Sequence, residues 1–515
     1  MVGRALALIG LCLAEVAWAC PALPVDSRVE AAARQLERAS PPPRWRAGEV
    51  LAALVAALEG LADDGLDPEA YGAGLLRAAP PGDPCTARLA TRALLAALAD
   101  LSWGRVDPAR HGLVWYAPGT RAEPDPEALL ALARRAFAEG FPAALAAARP
   151  ALPSYRHLRR ALAQARAEWP ARWPAVPPGP TLRLGDRGAR VAALRARLAA
   201  EGLLPATAAD PGHFDASLVE AVANFQRLHG LEDDGVVGPK TLVALNESPG
   251  ERIARLRVNL ERLRWFARDW REPAVLVDIA GAVVSYVAGG EVRFLARAQA
   301  GRPDRPTPPL VSRITRLTVN PAWTVPPTIL YRDVLPAVRR DPGYLARHRL
   351  RVFDGEGREV DPAAVDWRRP GALVLRQDPG PHNALGRVAI RFPNPFAVYL
   401  HDTPNRHLFA TSARFYSSGC VRVEGAVELA RHLLAGDSER ARFARLLASG
   451  RTAEIPLARP VHLVIAYWTA LANEAGVVTT RPDVYQRDAR LLALLELGTG
   501  GGAHEKGPVG ALRNW

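Results

Sequence analysis

Apolar residues recur at helical spacing through most of residues 28–170. Val50 to Leu58 and Ala93 to Leu98 are Ala- and Leu-rich runs of this kind. Asp64-Gly65-Leu66-Asp67-Pro68 and Gly104-Arg105-Val106-Asp107-Pro108 interrupt them with helix breakers. The pattern predicts a helical scaffold over 28–170 with no chemistry of its own. Trp169-Pro170 to Pro180, with five prolines, reads as a linker. Residues 182–247 predict a second, compact helical unit. Val191, Leu194 and Leu198 line one helix face, Val219, Val222 and Phe225 another, and Asp234-Gly235-Val236-Val237-Gly238 closes the unit.

The period changes near residue 272. Val275 to Ile279 and Val283 to Val287 are β-rich and separated by Gly, as in a hairpin. Further strands are predicted at 292–300, 314–319, 373–376, 388–391, 398–401 and 461–469, and a helix from Gly425 to Leu434. Residues 328–368 read as helix and loop, an insertion at about 325–370 within a mostly-β domain over 272–470. The Gly-rich end, 498–515, reads as a disordered tail. The fold class is multidomain α+β, and the length suits roughly three domains of ~150 residues each.

Composition adds a compartment. Arg4, the apolar run Ala5 to Leu13 and Ala17-Trp18-Ala19 read as an export signal over 1–19. No later stretch reaches the ~18 uninterrupted apolar residues of a membrane span, so the mature chain is expected to have none. The formal net charge is +13 and rests on Arg, because Lys occurs only at Lys240 and Lys506. Such a skew is what a GC-rich coding sequence alone produces, and it also suits an anionic envelope polymer. No nucleic-acid motif or dense basic run with interleaved aromatics accompanies it. Of the four cysteines, Cys12 leaves with the signal. Cys20 and Cys85 are candidates to pair in an oxidising compartment, with lipidation of Cys20 left open. Cys420 then remains an unpaired thiol in an exported protein.

Cys420 lies in Ser417-Ser418-Gly419-Cys420-Val421-Arg422, nineteen positions after the His of His401-Asp402-Thr403-Pro404. A thiol with an imidazole partner is a nucleophile for acyl transfer. His401 closes the strand-like run Ala397 to Leu400 and is the natural base. Asp402, through its carboxylate or its carbonyl, is placed to fix the imidazole tautomer. The amides around Gly419 and Cys420 are candidate oxyanion donors. Arg422 is placed to steady the loop or to meet a substrate carboxylate. His407 is a second candidate base in a polar loop. An exposed thiol beside a protonated imidazole is expected to have a depressed pKa. No metal is expected, since close His/Cys ligand spacing around Cys420 and H-E-x-x-H are both missing.

His401-Asp402-Thr403-Pro404 with Ser418-Gly419-Cys420-Val421-Arg422 resembles the signature of L,D-transpeptidases with a YkuD-type catalytic domain. Ser418 stands where many members have a second His; the large scaffold-bearing, YcbB-like subtype resembles this chain there. Gly301-Arg302 to Pro306-Thr307-Pro308, Asn320-Pro321-Ala322-Trp323, Asn383 to Arg387, Phe392 to Pro395 and Tyr467-Trp468-Thr469-Ala470 resemble that subtype too. Residues 182–247 resemble a three-helix peptidoglycan-binding module, and 28–170 its scaffold domain.

The resemblance implies a cysteine acyltransferase of peptidoglycan biosynthesis, acting in cell wall biogenesis and cell shape in the periplasm. Cys420 would take the acyl group of a tetrapeptide stem as a thioester and pass it to a second stem, giving a 3→3 cross-link. His401 would be the base and acid, Asp402 its orienter and Gly419 an oxyanion donor, with Ser418 beside them. Arg422, Trp323, Tyr416 and Asn383 would line the substrate groove, under a lid at about 325–370. No cofactor is implied. Peptidoglycan stems and glycan are the implied partners, and carbapenems implied acylating agents. An L,D-carboxypeptidase that hydrolyses the same acyl-enzyme, and a non-catalytic wall-binding scaffold, stay open alternatives.

Overall fold

The computed structural model describes residues 27–38, 47–117, 126–205 and 209–497, with Leu23, Val25 and Trp45. The expected signal at 1–19, Cys20 and the tail at 498–515 lie outside the described residues. Cys85 is disulfide-bonded and Cys420 is a free thiol. No helix among the described residues is long and apolar enough to cross a membrane.

The Ala/Leu periodicity of the N-terminal region becomes helices Ser27–Glu37, Gly48–Glu59, Pro84–Trp103, Pro126–Glu139, Phe141–Ala148 and Pro153–Glu168. The first five share one core around Pro84–Trp103, whose Leu94, Leu95, Leu98 and Leu101 are fully buried. Asp83 caps that helix by accepting the Cys85 and Thr86 amides. The small unit consists of helices Ala189–Ala199, Ala216–Leu228 and Pro239–Leu245, packed through Val191, Leu194, Leu198, Val222 and Phe225. The proline-rich segment before it is pinned in place. Trp173 lies under the guanidinium groups of Arg197 and Arg252, 4.3 and 4.4 Å from them, and Val176 exchanges two hydrogen bonds with the Asn246 side chain.

The 21-residue helix Pro249–Asp269 follows, opened by a Ser248/Glu251 capping box. Periodicity missed it, because buried Asn259, Glu261, Arg262 and Arg264 break the apolar stripe. One side packs Leu256, Leu260, Leu263 and Phe266 against Tyr155, Leu158 and Leu162 and against Trp468. Another side packs Val258 and Trp265 against Val106 and Leu491.

The strands are β1 Ala274–Asp278, β2 Val283–Ala288, β3 Glu291–Gly301, β4 Leu310–Val319 and β5 Trp323–Thr324. Next come β6 Arg351–Phe353, β7 Glu359–Val360, β8 Val374–Gln377, β9 Val388–Arg391 and β10 Leu400–His401. The last are β11 Phe415–Ser417, β12 Val421–Val423, β13 Ala453–Ala466, β14 Ala470–Ala472 and β15 Val478–Thr480. Nine of them form one sheet in the order β11-β3-β12-β10-β9-β4-β13-β1-β2, and β2 pairs back onto β3, so the sheet closes. Val277, Leu317, Ile390, Leu400, Val421 and Leu463 fill its core, with Leu429 and Phe443 from helices Ala426–His432 and Asp437–Ala448.

The insertion is more than helix and loop. Its strands β5, β8, β6 and β7 form a separate four-stranded sheet. This sheet packs with the 327–347 helices on a core of Val325, Leu330, Leu345, Val352 and Leu375. Strands of two or three residues carry too little alternation to be read from sequence. Strand β13 begins eight residues before the predicted 461, because Pro456 and Pro460 fall at a register shift that tolerates proline.

Candidate active site

Strands β10 and β12 run parallel, pairing Leu400 with Val421 and His401 with Arg422. The Val421 amide donates to the Tyr399 carbonyl at 3.1 Å, which carries the pairing back towards Cys420. Side chains alternate along paired strands. Leu400 and Val421 therefore point into the core, both fully buried. Tyr399, His401, Cys420 and Arg422 share the opposite face.

His401 is buried, 4% exposed. Its Nδ1 lies 2.5 Å from the Asp402 carbonyl oxygen. A carbonyl only accepts, so Nδ1 carries the proton and Nε2 is left as the unprotonated nitrogen, able to accept. Burial, and then the charge of Arg422, push the imidazole down to about 3, against the pull of that carbonyl bond. His401 is therefore neutral at physiological pH. The Asp402 carboxylate faces elsewhere: Oδ2 accepts the Arg387 amide at 2.9 Å, and Oδ1 is 3.5 Å from Arg406. Gly386 makes room for it. A Cβ there would lie 2.5 Å from Asp402 Oδ2.

Cys420 is half-buried and ends a tight loop. Gly419 has φ +110°, a conformation that side chains disfavour. Ser417 Oγ donates to the Cys420 carbonyl at 2.5 Å and accepts the Gly419 amide at 3.1 Å. The Gly419 amide is thus already used, whereas the Cys420 amide makes no hydrogen bond among the described residues. Burial pushes the thiol up; the Tyr399 amide at the sulfur and the charges of Arg391 and Arg422 offset this only in part. The expected depressed thiol pKa is not what the fold produces. The site is desolvated and its imidazole is neutral, so no imidazolium adds to the two arginines in holding a thiolate.

Residues 272–443 match the family model described as L,D-transpeptidase catalytic domain, YkuD. This is a YkuD domain. Residues 37–162 match a "Scaffold domain" and residues 187–245 a "Putative peptidoglycan binding domain". A "Putative L,D-transpeptidase" of Haemophilus influenzae is 35% identical over 242 residues, 46% of this chain and 48% of the relative, so the match spans about half the relative's length. Two crystal structures are also similar. One is of the L,D-transpeptidase (residues 123–326) from Xylanimonas cellulosilytica, 17% identical over 56% of this chain and 99% of that one, with TM-score 0.17. The other is of the L,D-transpeptidase (Yku) from Stackebrandtia nassauensis, 13% identical over 57% and 96%, with TM-score 0.20.

The YkuD domain distributes the other predicted residues unevenly. Ser418 Oγ accepts from Arg305 at 3.1 Å. Arg422 donates to Gln299 Oε1 at 3.1 Å, so its guanidinium is partly committed within the sheet. Tyr416 is exposed on β11 and donates to Thr411. Trp323 packs in the core of the insertion. Asn383 is 2% exposed, and its amide is spent on the carbonyls of Gln377 and Asp378 and the Leu385 amide, which makes it a loop organiser. Sequence reading missed Tyr399 and Arg391. The Tyr399 ring lies 5.6 Å from that of His401, and the Arg391 guanidinium 4.0 Å from the Tyr399 ring. Strand alternation back from His401 would have found Tyr399; the Arg391 contact crosses from β9 and leaves no mark in the local sequence.

Proposed function

We propose that this protein is an L,D-transpeptidase that forms 3→3 peptidoglycan cross-links in the cell envelope through a Cys420 thioester. The observation that carries the reading is a free thiol and a tautomer-fixed imidazole on one face of neighbouring strands in a YkuD domain. His401 Nε2 takes the thiol proton as Cys420 Sγ attacks the carbonyl after the third residue of a tetrapeptide stem. The oxyanion is received by the unengaged Cys420 amide. The imidazolium then gives its proton to the departing D-Ala amine, leaving the thioester. The side-chain amine of a second stem's diaminopimelate attacks the thioester, His401 takes the amine proton, and the thiol is restored. Starting from a neutral pair, the proton moves with the attack, in keeping with the raised thiol and depressed imidazole. The 182–247 unit supports the reading by offering a hold on the glycan.

The test is intact-protein mass after incubation of the full chain with a tetrapeptide muropeptide and, separately, with a carbapenem. A carbapenem-sized adduct that disappears in Cys420→Ala, together with cross-linked dimer, is expected. Adduct with trimmed tripeptide alone would make the protein an L,D-carboxypeptidase. Neither adduct nor product from folded protein would leave a wall-binding scaffold.

A further inference from the structure

The loop after β3, residues 302–307, holds the nucleophile loop one residue at a time. The Arg302 amide donates to the Ser417 carbonyl at 3.0 Å. Arg305 Nη1 donates to Ser418 Oγ at 3.1 Å, and Thr307 Oγ1 donates to the Gly419 carbonyl at 2.9 Å. Thr307 is itself fixed, its Oγ1 accepting the Gly301 amide at 2.8 Å and its amide donating to the Tyr485 hydroxyl at 3.2 Å. This cradle is gripped from outside the sheet by one carboxylate. Asp333 accepts Arg305 Nη2 at 2.8 Å on Oδ1, accepts the same Arg305 Nη1 that reaches Ser418 on Oδ2, and lies 3.3 Å from Arg302 Nη2.

Asp333 belongs to the insertion. It lies in the π-helical turn Leu330–Val334, and such turns concentrate at functional sites. Leu330 and Val334 on either side are anchored in the insertion's own core. The Asp333 backbone therefore travels with the insertion, and a shift of the insertion would draw the carboxylate away from Arg305. Arg305 is 8% exposed; its Nε makes no hydrogen bond and lies 3.9 Å from the exposed Asp304 carboxylate, whereas both Nη atoms bond Asp333, its main compensating charge.

We propose that Asp333 is a positioning residue that couples the placement of the insertion to the geometry of Cys420, through Arg305 and Ser418. With the insertion seated, the nucleophile loop is held in its observed conformation. With it displaced, Arg305 swings free and Ser418 to Cys420 loosen. The inference rests on the reading of Cys420 as the reacting group.

The experiment measures Cys420 alkylation by iodoacetamide, too small to need a substrate groove, alongside kcat and KM with a tetrapeptide muropeptide. Asp333→Asn is expected to slow alkylation and to lower kcat, on the order of 10–100-fold as for other small misplacements of a reacting group, with KM nearly unchanged. Asp333→Glu is expected to recover much of both. Ser418→Ala, which leaves the insertion untouched, is expected to reproduce the alkylation defect and to add nothing to Asp333→Asn. Unchanged or faster alkylation in Asp333→Asn, a defect in KM alone, or additive effects in the double variant would overturn the proposal. Should the parent protein turn over no muropeptide, alkylation still decides the coupling, while the transpeptidase reading fails separately.

Discussion

A buried imidazole that stays neutral constrains how Cys420 can react. With His401 held down to about 3 and the Cys420 thiol pushed up, the resting pair is thiol and imidazole, with no ion pair between them. The thiolate fraction of such a thiol grows as pH rises towards its raised pKa, and no protonated imidazole lends it an acid shoulder. Alkylation of the free protein by iodoacetamide is therefore expected to climb steadily from pH 6 to pH 9, approaching about tenfold per pH unit. A flat rate through neutral pH would reveal a preformed thiolate–imidazolium pair instead. The motif named both residues in advance. Their ionisation was not legible, because it depends on burial, on Arg391 from another strand, and on how the folded chain places the motif's own Arg422 against both groups. The expectation of a depressed thiol failed for that reason. Asp402 shows the same limit: its sequence position allowed a carboxylate or a carbonyl to orient His401, and the Gly386 turn that receives the carboxylate decided for the carbonyl.

Between β11 and β12, the loop that carries the thiol depends on the backbone of Gly419. The cause is conformational, since a Cβ there would make only ordinary contact, 3.5 Å from Val398. Gly419→Ala is expected to cost about 1–3 kcal/mol through the disfavoured φ. It should lower the urea midpoint and slow Cys420 alkylation together, as the backbone relaxes out of its cradle. Long elements were readable: β1 to β4 and β9 followed alternation and β-branched composition to within a few residues. Of the short ones, β8 and β10 were read within 373–376 and 398–401, and the rest were not. Strands β11 and β12, three residues each, flank Cys420 and were not predicted, because their strand state comes from pairing with β3 and β10. In the four-stranded sheet at the insertion, β8 was read at 373–376, whereas β5, β6 and β7 were missed for the same reason.

Over the whole molecule, helix Pro249–Asp269 ties the N-terminal helices to the closed sheet through buried charge. Glu261 is fully buried; its Oε1 accepts the Val106 amide at 2.8 Å and Trp265 Nε1 at 3.1 Å, and its Oε2 accepts Arg264 Nη1 at 2.6 Å. Arg264 continues to the Asp64 carbonyl. Asn259 bonds both the amide and the hydroxyl of Thr469. Glu261→Ala leaves Arg264 buried without its carboxylate, which is expected to destabilise the protein by about 3–5 kcal/mol. A fall in the urea midpoint, with early proteolysis within residues 27–168, would register it. The peptidoglycan-binding unit is docked as well, with His229 Nδ1 2.6 Å from Thr480 Oγ1 on β15.

The sequence by itself determined the three kinds of unit and picked out Cys420 and His401 as the candidate pair. Periodicity is a local property, and the Cys420 and His401 motifs are short enough to survive in one dimension. Tertiary structure alone decided the imidazole tautomer, the neutral resting state, the engaged and free amides at Gly419 and Cys420, and the grip of Asp333 on the nucleophile loop. The grip joins residues 28 and 113 positions apart, and the resting state depends on the field around each side chain; the tautomer and the engaged Gly419 amide involve neighbours one and two positions away, but need the backbone conformation that the folded loop imposes.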